Sequence, residues 1–416
     1  MSVSRFLLDI SPLRESRAFR YAYFARAATV LVTGMLMVAA SIQLYDLTQS
    51  SVAVAFLNVS MATPMVIALI IGGVLSDRMD RRSLMVWSRS VYIISVVLFL
   101  ANTLLPAPSV WLIYVAAAIG GAAGGISVPA MMAATPALVG RDKLAAAAAL
   151  SGLAMQLGGI IGPALAGLLI SGPGLIFCYV IVLCGVIVTP LLLRALPSLP
   201  PQNGNRPPQQ PLQALQDGLR FVAGNPLLRA LLLIDLAALI LATPLALLPE
   251  WGDTILGMGA KATGYLYAAP AVGATLAALS SGWCRQVARP GAAIVAAVLV
   301  WGLAVAALAL QASLIWALLC LAVMGAADTI SKILRMALVQ KHTPDHLLGR
   351  VSSLWMTQYS LGQALGNMQM GYLSRLLQPA LAVTVGGLAC AAAAVGFGVL
   401  NRGLRSDSRQ DAPPHA

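Results

Sequence analysis

Charge is what this sequence has least of. Only 10% of its 416 residues are Asp, Glu, Lys or Arg, and only three are histidine; soluble domains carry about 25% charged residues. Acids are the scarcer sign, 14 against 26 Lys and Arg. The usual marks of catalysis are missing as well. No lysine follows a glycine, so there is no Gly-Lys phosphate-binding loop, and there is no Gly-x-Ser-x-Gly elbow. His342 and His346 are four apart but lack the glutamate of a His-Glu-x-x-His motif, and Pro344 stands between them. They read as two loop histidines, not a metal site. Cys178, Cys184, Cys284, Cys320 and Cys390 all lie in or beside apolar runs and form no Cys-x-x-Cys pair, which leaves no basis for a disulfide framework or a zinc cluster. The expectation is a protein that is not an enzyme, with no cofactor and no metal.

What the chain does have is apolar length. Hydrophobic residues make up 59% and the mean hydropathy is +0.85. Runs of about 20 apolar residues read as membrane-spanning helices. A β-barrel would show short alternating strands instead of long Ala-, Leu- and Gly-rich runs. Twelve spans are predicted, at 22–45, 52–75, 83–104, 109–139, 144–170, 175–196, 227–249, 262–283, 290–311, 313–338, 350–374 and 379–400. The fold class is an all-α membrane protein of two six-helix halves.

The formal net charge of +12 does not point to nucleic acid, because the basic residues cluster in alternate loops. Arg78, Arg81, Arg82, Arg141, Lys143, Arg194, Arg206, Arg220, Arg229, Arg285, Arg289, Lys341 and Arg350 fall on one side with both ends of the chain, and only Lys261 and Arg375 on the other. The positive-inside rule then puts both termini in the cytoplasm. Arg5, Arg14, Arg17 and Arg20 run up to the first span with no Ala-x-Ala site, so the start of the chain is read as retained, not cleaved.

Organisation follows from composition. Residues 1–196 form the first six-helix bundle. Residues 197–226 form a cytoplasmic linker, proline-rich and extended over 197–211. The linker ends in a short amphipathic helix over 212–224, with Leu212, Leu215, Leu219 and Val222 at helical spacing. Residues 227–400 form the second bundle and 401–416 a cytoplasmic tail. Thr135-Pro136 before Gly140-Arg141 is repeated as Thr343-Pro344 before Gly349-Arg350, an offset of 208 residues, and Gly282 and Arg289 lie near the same offset from Gly73 and Arg81. A duplicated six-helix unit accounts for both matches. Parallel repeats of this kind build one class of transporter, with substrate held between the halves.

The loop between spans 2 and 3 reads Gly73-x-Leu75-Ser76-Asp77-Arg78-x-x-Arg81-Arg82. It resembles the loop 2–3 signature of the major facilitator superfamily, with Asp80 where the signature has glycine. In span 5, Gly158-x-x-x-Gly162-Pro163-Ala164-Leu165-Ala166-Gly167 resembles the superfamily's antiporter motif, which goes with exporters. Arg14-x-x-Arg17-x-Phe19-Arg20, 135–141, Gly218-Leu219-Arg220-Phe221, 264–269 and the 288–291 turn are similar to siderophore exporters of the enterobactin exporter type. The resemblance covers the whole chain. It implies export of a catecholate siderophore across the bacterial inner membrane, driven by protons, by alternating access. It also implies that Gly73, Asp77, Arg78, Arg81 and Arg82 act as a gate that latches the two halves on the cytoplasmic side. A multidrug exporter of the same fold is the alternative, and a transport-dead receptor or scaffold a third reading. The partners are a small-molecule substrate, protons and the lipid bilayer; the protein is read as a monomer.

Ionisable groups inside spans cost about 2.5–3.5 kcal/mol on insertion scales, so each is a functional candidate. Arg26 and Arg89 fit either snorkelling to the interface or a role in binding or gating. Asp235 stands alone inside span 7 and is a candidate either to bind a proton or to accept a hydrogen bond from a partner. Asp328 and Lys332 in span 10 are four apart and share a helix face. With Arg335, which is near enough to the helix end to snorkel, they form a trio of net positive charge suited to an anionic substrate; self-neutralisation for insertion is the alternative. Span 11 carries Trp355, Tyr359, Gln363 and Asn367 at four-residue steps, a wall that could stack against catechol rings or serve helix packing. In span 5 the glycines allow close helix approach and Pro163 a bend.

Overall fold

The computed structural model describes residues 9–200 and 211–401, and these are helical with no strand among them. The expected proline-rich linker lies largely at 201–210, and the tail beyond Asn401, outside the described residues. Six long helices occupy the first half: Arg17–Thr48, Ser51–Arg78, Arg81–Leu104, Val110–Val139, Leu144–Ser171 and Leu175–Arg194, here spans 1–6. Pro211–Gly224 is a separate helix. Span 7 runs over Pro226–Ile255. Spans 8–12 are Gly259–Leu279, Pro290–Ala307, Leu314–His342, Asp345–Leu377 and Pro379–Leu400. Among the described residues, eleven helices are long and apolar enough to cross a membrane. Span 11, at 33 residues, has the length but is more polar, because it carries Gln358, Gln363, Asn367 and Gln369.

The chain divides into two compact units, Met1–Leu47 with Ser60–Pro207, and Thr48–Val59 with Pro208–Ala416. Inside each, glycine sets how closely helices approach. In the first unit, a Cβ on Gly121 would run into the Met61 carbonyl oxygen, and one on Gly125 into that of Met65, so spans 2 and 4 touch backbone to backbone. In the second unit, Gly273 meets Ala322 and Gly325 meets Pro270 in the same way, joining spans 8 and 10. Such small-residue contacts are how helices associate where lipid removes the hydrophobic drive. Bulky apolar side chains point outward instead: Trp111, Leu279 and Ile315 are 78%, 79% and 71% exposed. Lipid is the solvent that suits that face.

Span 7 departs from the continuous helix expected over 227–249. Its α-helix ends at Leu241, a 3-10 turn covers Leu245–Leu247, and a π-helical turn covers Trp251–Ile255. Pro244 and Pro249 lack the N–H that would carry the helix on. The groups freed by the break are taken up by side chains. Trp301 Nε1 donates to Ala242 O at 2.8 Å, Tyr267 Oη donates to Leu245 O at 2.9 Å, and Ala246 N donates to Asn367 Oδ1 at 2.8 Å. The amphipathic helix, expected on the membrane face, packs on the start of span 11: a Cβ on Gly218 would lie 3.0 Å from Arg350 O, and Asp217 pairs with Arg350 at 3.0 Å.

Candidate functional site

The polar residues of spans 7, 10 and 11 converge in the second unit. Asp235, near the middle of its helix, meets Arg335 at 2.7 Å (Oδ1 to Nη1), with side chains only 1% and 2% exposed. Ser331 Oγ accepts from Arg335 Nη1 at 3.2 Å. Neither Asp235 oxygen receives a well-aligned hydrogen bond, and Arg335 Nε has no partner. This overturns the snorkelling expected of Arg335. It also removes the net positive trio: with Asp235 included, Asp328, Lys332 and Arg335 sum to zero charge. The pairing follows from burial, since desolvating a lone guanidinium costs several kcal/mol and a carboxylate across the bundle offsets part of it.

One turn along span 10, Lys332 Nζ donates to Asp328 Oδ2 at 2.6 Å. This pair is more open, with Lys332 36% and Asp328 17% exposed. Lys332 Nζ also lies 3.9 Å from the centroid of the Tyr359 ring, well inside cation–π range. Tyr359 Oη accepts from Gln363 Nε2 at 2.8 Å, and Asn367 Nδ2 donates to Gln363 O at 2.9 Å. From Tyr359 to Asn367 the stripe on span 11 is therefore a hydrogen-bonded ladder that runs from the ring beside Lys332 to the break in span 7. Trp355, its first member, is buried with an unpartnered indole N–H.

Sequence reasoning passed over Gln358, which is buried beside Asp235 with its amide unpartnered. It also passed over Glu250, which accepts from Ser51 Oγ and, at 3.3 Å, from Ser374 Oγ. Gln358 is a polar side chain inside a predicted span, a signal visible in the chain; Glu250 falls just past the end of predicted span 7, in the interrupted region after Leu241.

In the first unit the loop 2–3 residues separate by role. Asp77 and Arg78 are exposed at the end of span 2. Asp80 caps span 3: its carboxylate accepts from Arg82 N, Ser83 Oγ and, at 2.7 Å, Leu199 N. Burial opposes ionisation there, but these donors outweigh it and hold the carboxyl below its ordinary value. An acid at this position, instead of the signature's glycine, thus ties the loop to the chain leaving span 6. Arg81 donates to Ala133 O at 3.1 Å and Arg82 to Arg194 O at 2.6 Å. The glycine that packs tightly is Gly72, against Ile126; a Cβ on Gly73 would meet open space.

The span 5 motif lies on span 1. A Cβ on Gly158 would sit 2.7 Å from Val30 Cγ1, one on Gly162 2.5 Å from Leu31 O, and Pro163 Cδ is 3.0 Å from the Cβ position of Gly34. Gly167 is buried. Arg26 reaches Met155 Sδ at 3.3 Å, and Arg89 lies 6.0 Å from the Tyr92 ring; among the described residues neither pairs with an acid. A cleft of about 360 Å³ in this unit, lined by Gln43, Thr103, Pro108 and Leu175 among others, includes none of the predicted site residues.

Among the described residues, twelve long helices with glycine-knit contacts and a buried charge cluster are the features of a multi-span membrane transporter, and comparison with known proteins places it. Residues 8–414 match the family described as transmembrane secretion effector, and the chain belongs to that family of the major facilitator superfamily. It is 34% identical over 404 residues to the enterobactin exporter EntS of Shigella flexneri, covering 97% of this chain and 94% of the relative. It is 33% identical, over the same shares, to EntS of Escherichia coli O81 (strain ED1a). Solved structures agree on the fold. The nucleoside transporter NupG matches with a TM-score of 0.77 at 13% identity over 92% of this chain and 98% of that one. A POT family transporter in complex with 5-aminolevulinic acid matches with 0.77 at 12% identity over 94% and 97%.

Proposed function

We propose that this protein exports a catecholate siderophore such as enterobactin from the cytoplasm, by alternating access, in exchange for protons. The observation that carries this reading is the identity to enterobactin exporters over 97% of the chain. It works in the bacterial inner membrane as a monomer with both termini cytoplasmic, as the distribution of basic loops supports.

The cluster of spans 7, 10 and 11 supplies the coupling chemistry. A proton on Asp235 removes the counterion of Arg335 inside a buried site, and an uncompensated buried charge is strongly destabilising. Protonation therefore drives rearrangement of the packed helices, and deprotonation restores the pair. Asp77 and its arginines hold the cytoplasmic gate, and Gly158, Gly162, Pro163 and Gly167 let span 5 ride closely on span 1 during the exchange.

The test is siderophore output. A deletion strain with no redundant exporter is expected to retain siderophore inside the cell, and complementation restores secretion. Normal secretion combined with sensitivity to many unrelated drugs would replace this reading with multidrug export.

A further inference from the structure

Asp328 has one carboxylate oxygen in use and one idle. Oδ2 receives Lys332 Nζ at 2.6 Å; Oδ1 is buried without a hydrogen-bond partner. A carboxylate offers about four acceptor sites, and leaving a buried acceptor unmet is costly. The group that suits this position is a donor. Next to it, the Lys332 ammonium is 36% exposed and sits 3.9 Å from the Tyr359 ring centroid. Tyr359 Oη is already engaged by Gln363 at 2.8 Å, which fixes the ring where it is. The place thus offers an acceptor, a partly exposed cation and an aromatic ring side by side.

Few ligand groups answer all three. A carboxylate or phosphate would suit Lys332 but be repelled by Asp328. An aliphatic diol would suit Asp328 but give the cation and the ring nothing. A ring with two adjacent hydroxyls does both: its O–H groups donate to the carboxylate, and its π face answers the ammonium. We infer that Asp328, Lys332 and Tyr359 form the subsite for one 1,2-dihydroxyaryl ring of the substrate, an inference that rests on the siderophore-export reading above.

The experiment uses the full-length protein in nanodiscs, with catechol and its dimethyl ether as probes. Wild-type protein is expected to lose bound enterobactin to catechol at least tenfold more readily than to the ether. Asp328→Asn is expected to erase that preference and Asp328→Glu to restore much of it. Equal displacement by catechol and ether on wild type overturns the subsite without needing any variant. So does a preference that persists in folded Asp328→Asn. If wild type binds no enterobactin at all, the export reading fails instead, and direct calorimetry of catechol against the ether still decides the subsite.

Discussion

The two units use the same joinery and carry different chemistry. Span 5 lies on span 1 through Gly158 and Gly162, and span 11 on span 7 through Gly362 and Gly366; spans 2 and 4, and 8 and 10, meet through paired glycines. On that shared frame the second unit holds Asp235, Asp328, Lys332 and Arg335 in two ion pairs and breaks span 7. In the first unit Arg26 and Arg89 have no acidic partner among the described residues, and the polar bonding concentrates at loop 2–3. On a shared frame, one half thus carries ion pairs between and along its spans, and the other a loop that ties its own helix ends together.

The sharpest way to break this contrast is to remove one charge from each half. Asp235→Asn or Arg335→Met is expected to abolish transport and to cost about 3–5 kcal/mol, because the remaining charge is left buried alone. Replacing both by apolar residues recovers most of that stability without recovering transport. Thermal unfolding in detergent beside a flux assay reads both. Arg26 is half-buried and has no acidic partner among the described residues, so Arg26→Met strands no opposite charge and is expected to cost far less than Asp235→Asn; a loss as large as that of Asp235→Asn would erase the asymmetry.

The shared joinery has its own test. Gly121→Val in the first unit and Gly325→Val in the second each push a side chain into a backbone carbonyl, and each is expected to cost about 1–3 kcal/mol. Unequal costs in unfolding experiments would mean that the two frames are not equivalent.

Smaller effects are expected at two polar ties. Asn367→Ala leaves the Ala246 N–H of the span 7 break unmet, for about 1–3 kcal/mol, measurable as faster hydrogen exchange around 242–247. Asp80→Asn loosens the loop 2–3 cap. Because the Asp80 carboxyl is held below its ordinary value, its contribution is present above about pH 3.9 and fades as pH falls through the lowered native value. The variant is expected to show a flatter stability profile in that acid range, and an unchanged profile would deny Asp80 its role. In transport, Asp77→Asn is expected to slow turnover while leaving substrate binding intact, as measured by flux and equilibrium binding on one preparation.

Most of the fold was legible because apolar length is a local property: each span except 7 and the more polar span 11 follows from an apolar run counted in order. The break in span 7 had its proline signal, Pro244 and Pro249, yet hydropathy averaged over the run covers it. The charge cluster was legible in parts. Asp328 with Lys332 is a four-residue spacing on one helix, so the pair could be read directly. Asp235 with Arg335 joins helices 100 positions apart in the sequence, and no local rule reports it, which is why Arg335 read as snorkelling. Asp80 looked like an irregularity because its partner, Leu199, lies 119 residues away.

The interrupted span 7 also bears on how the protein is made. Its loose backbone groups are matched by Tyr267, Trp301 and Asn367, which follow their partners by 22, 59 and 121 residues. When span 7 enters the bilayer during synthesis, those partners have not yet been translated. Unmet N–H and C=O groups are expensive in hydrocarbon. The break in span 7 is therefore expected to settle only once span 11 supplies Asn367, and chains truncated before span 11 are expected to be degraded faster than the full chain in a pulse-chase experiment.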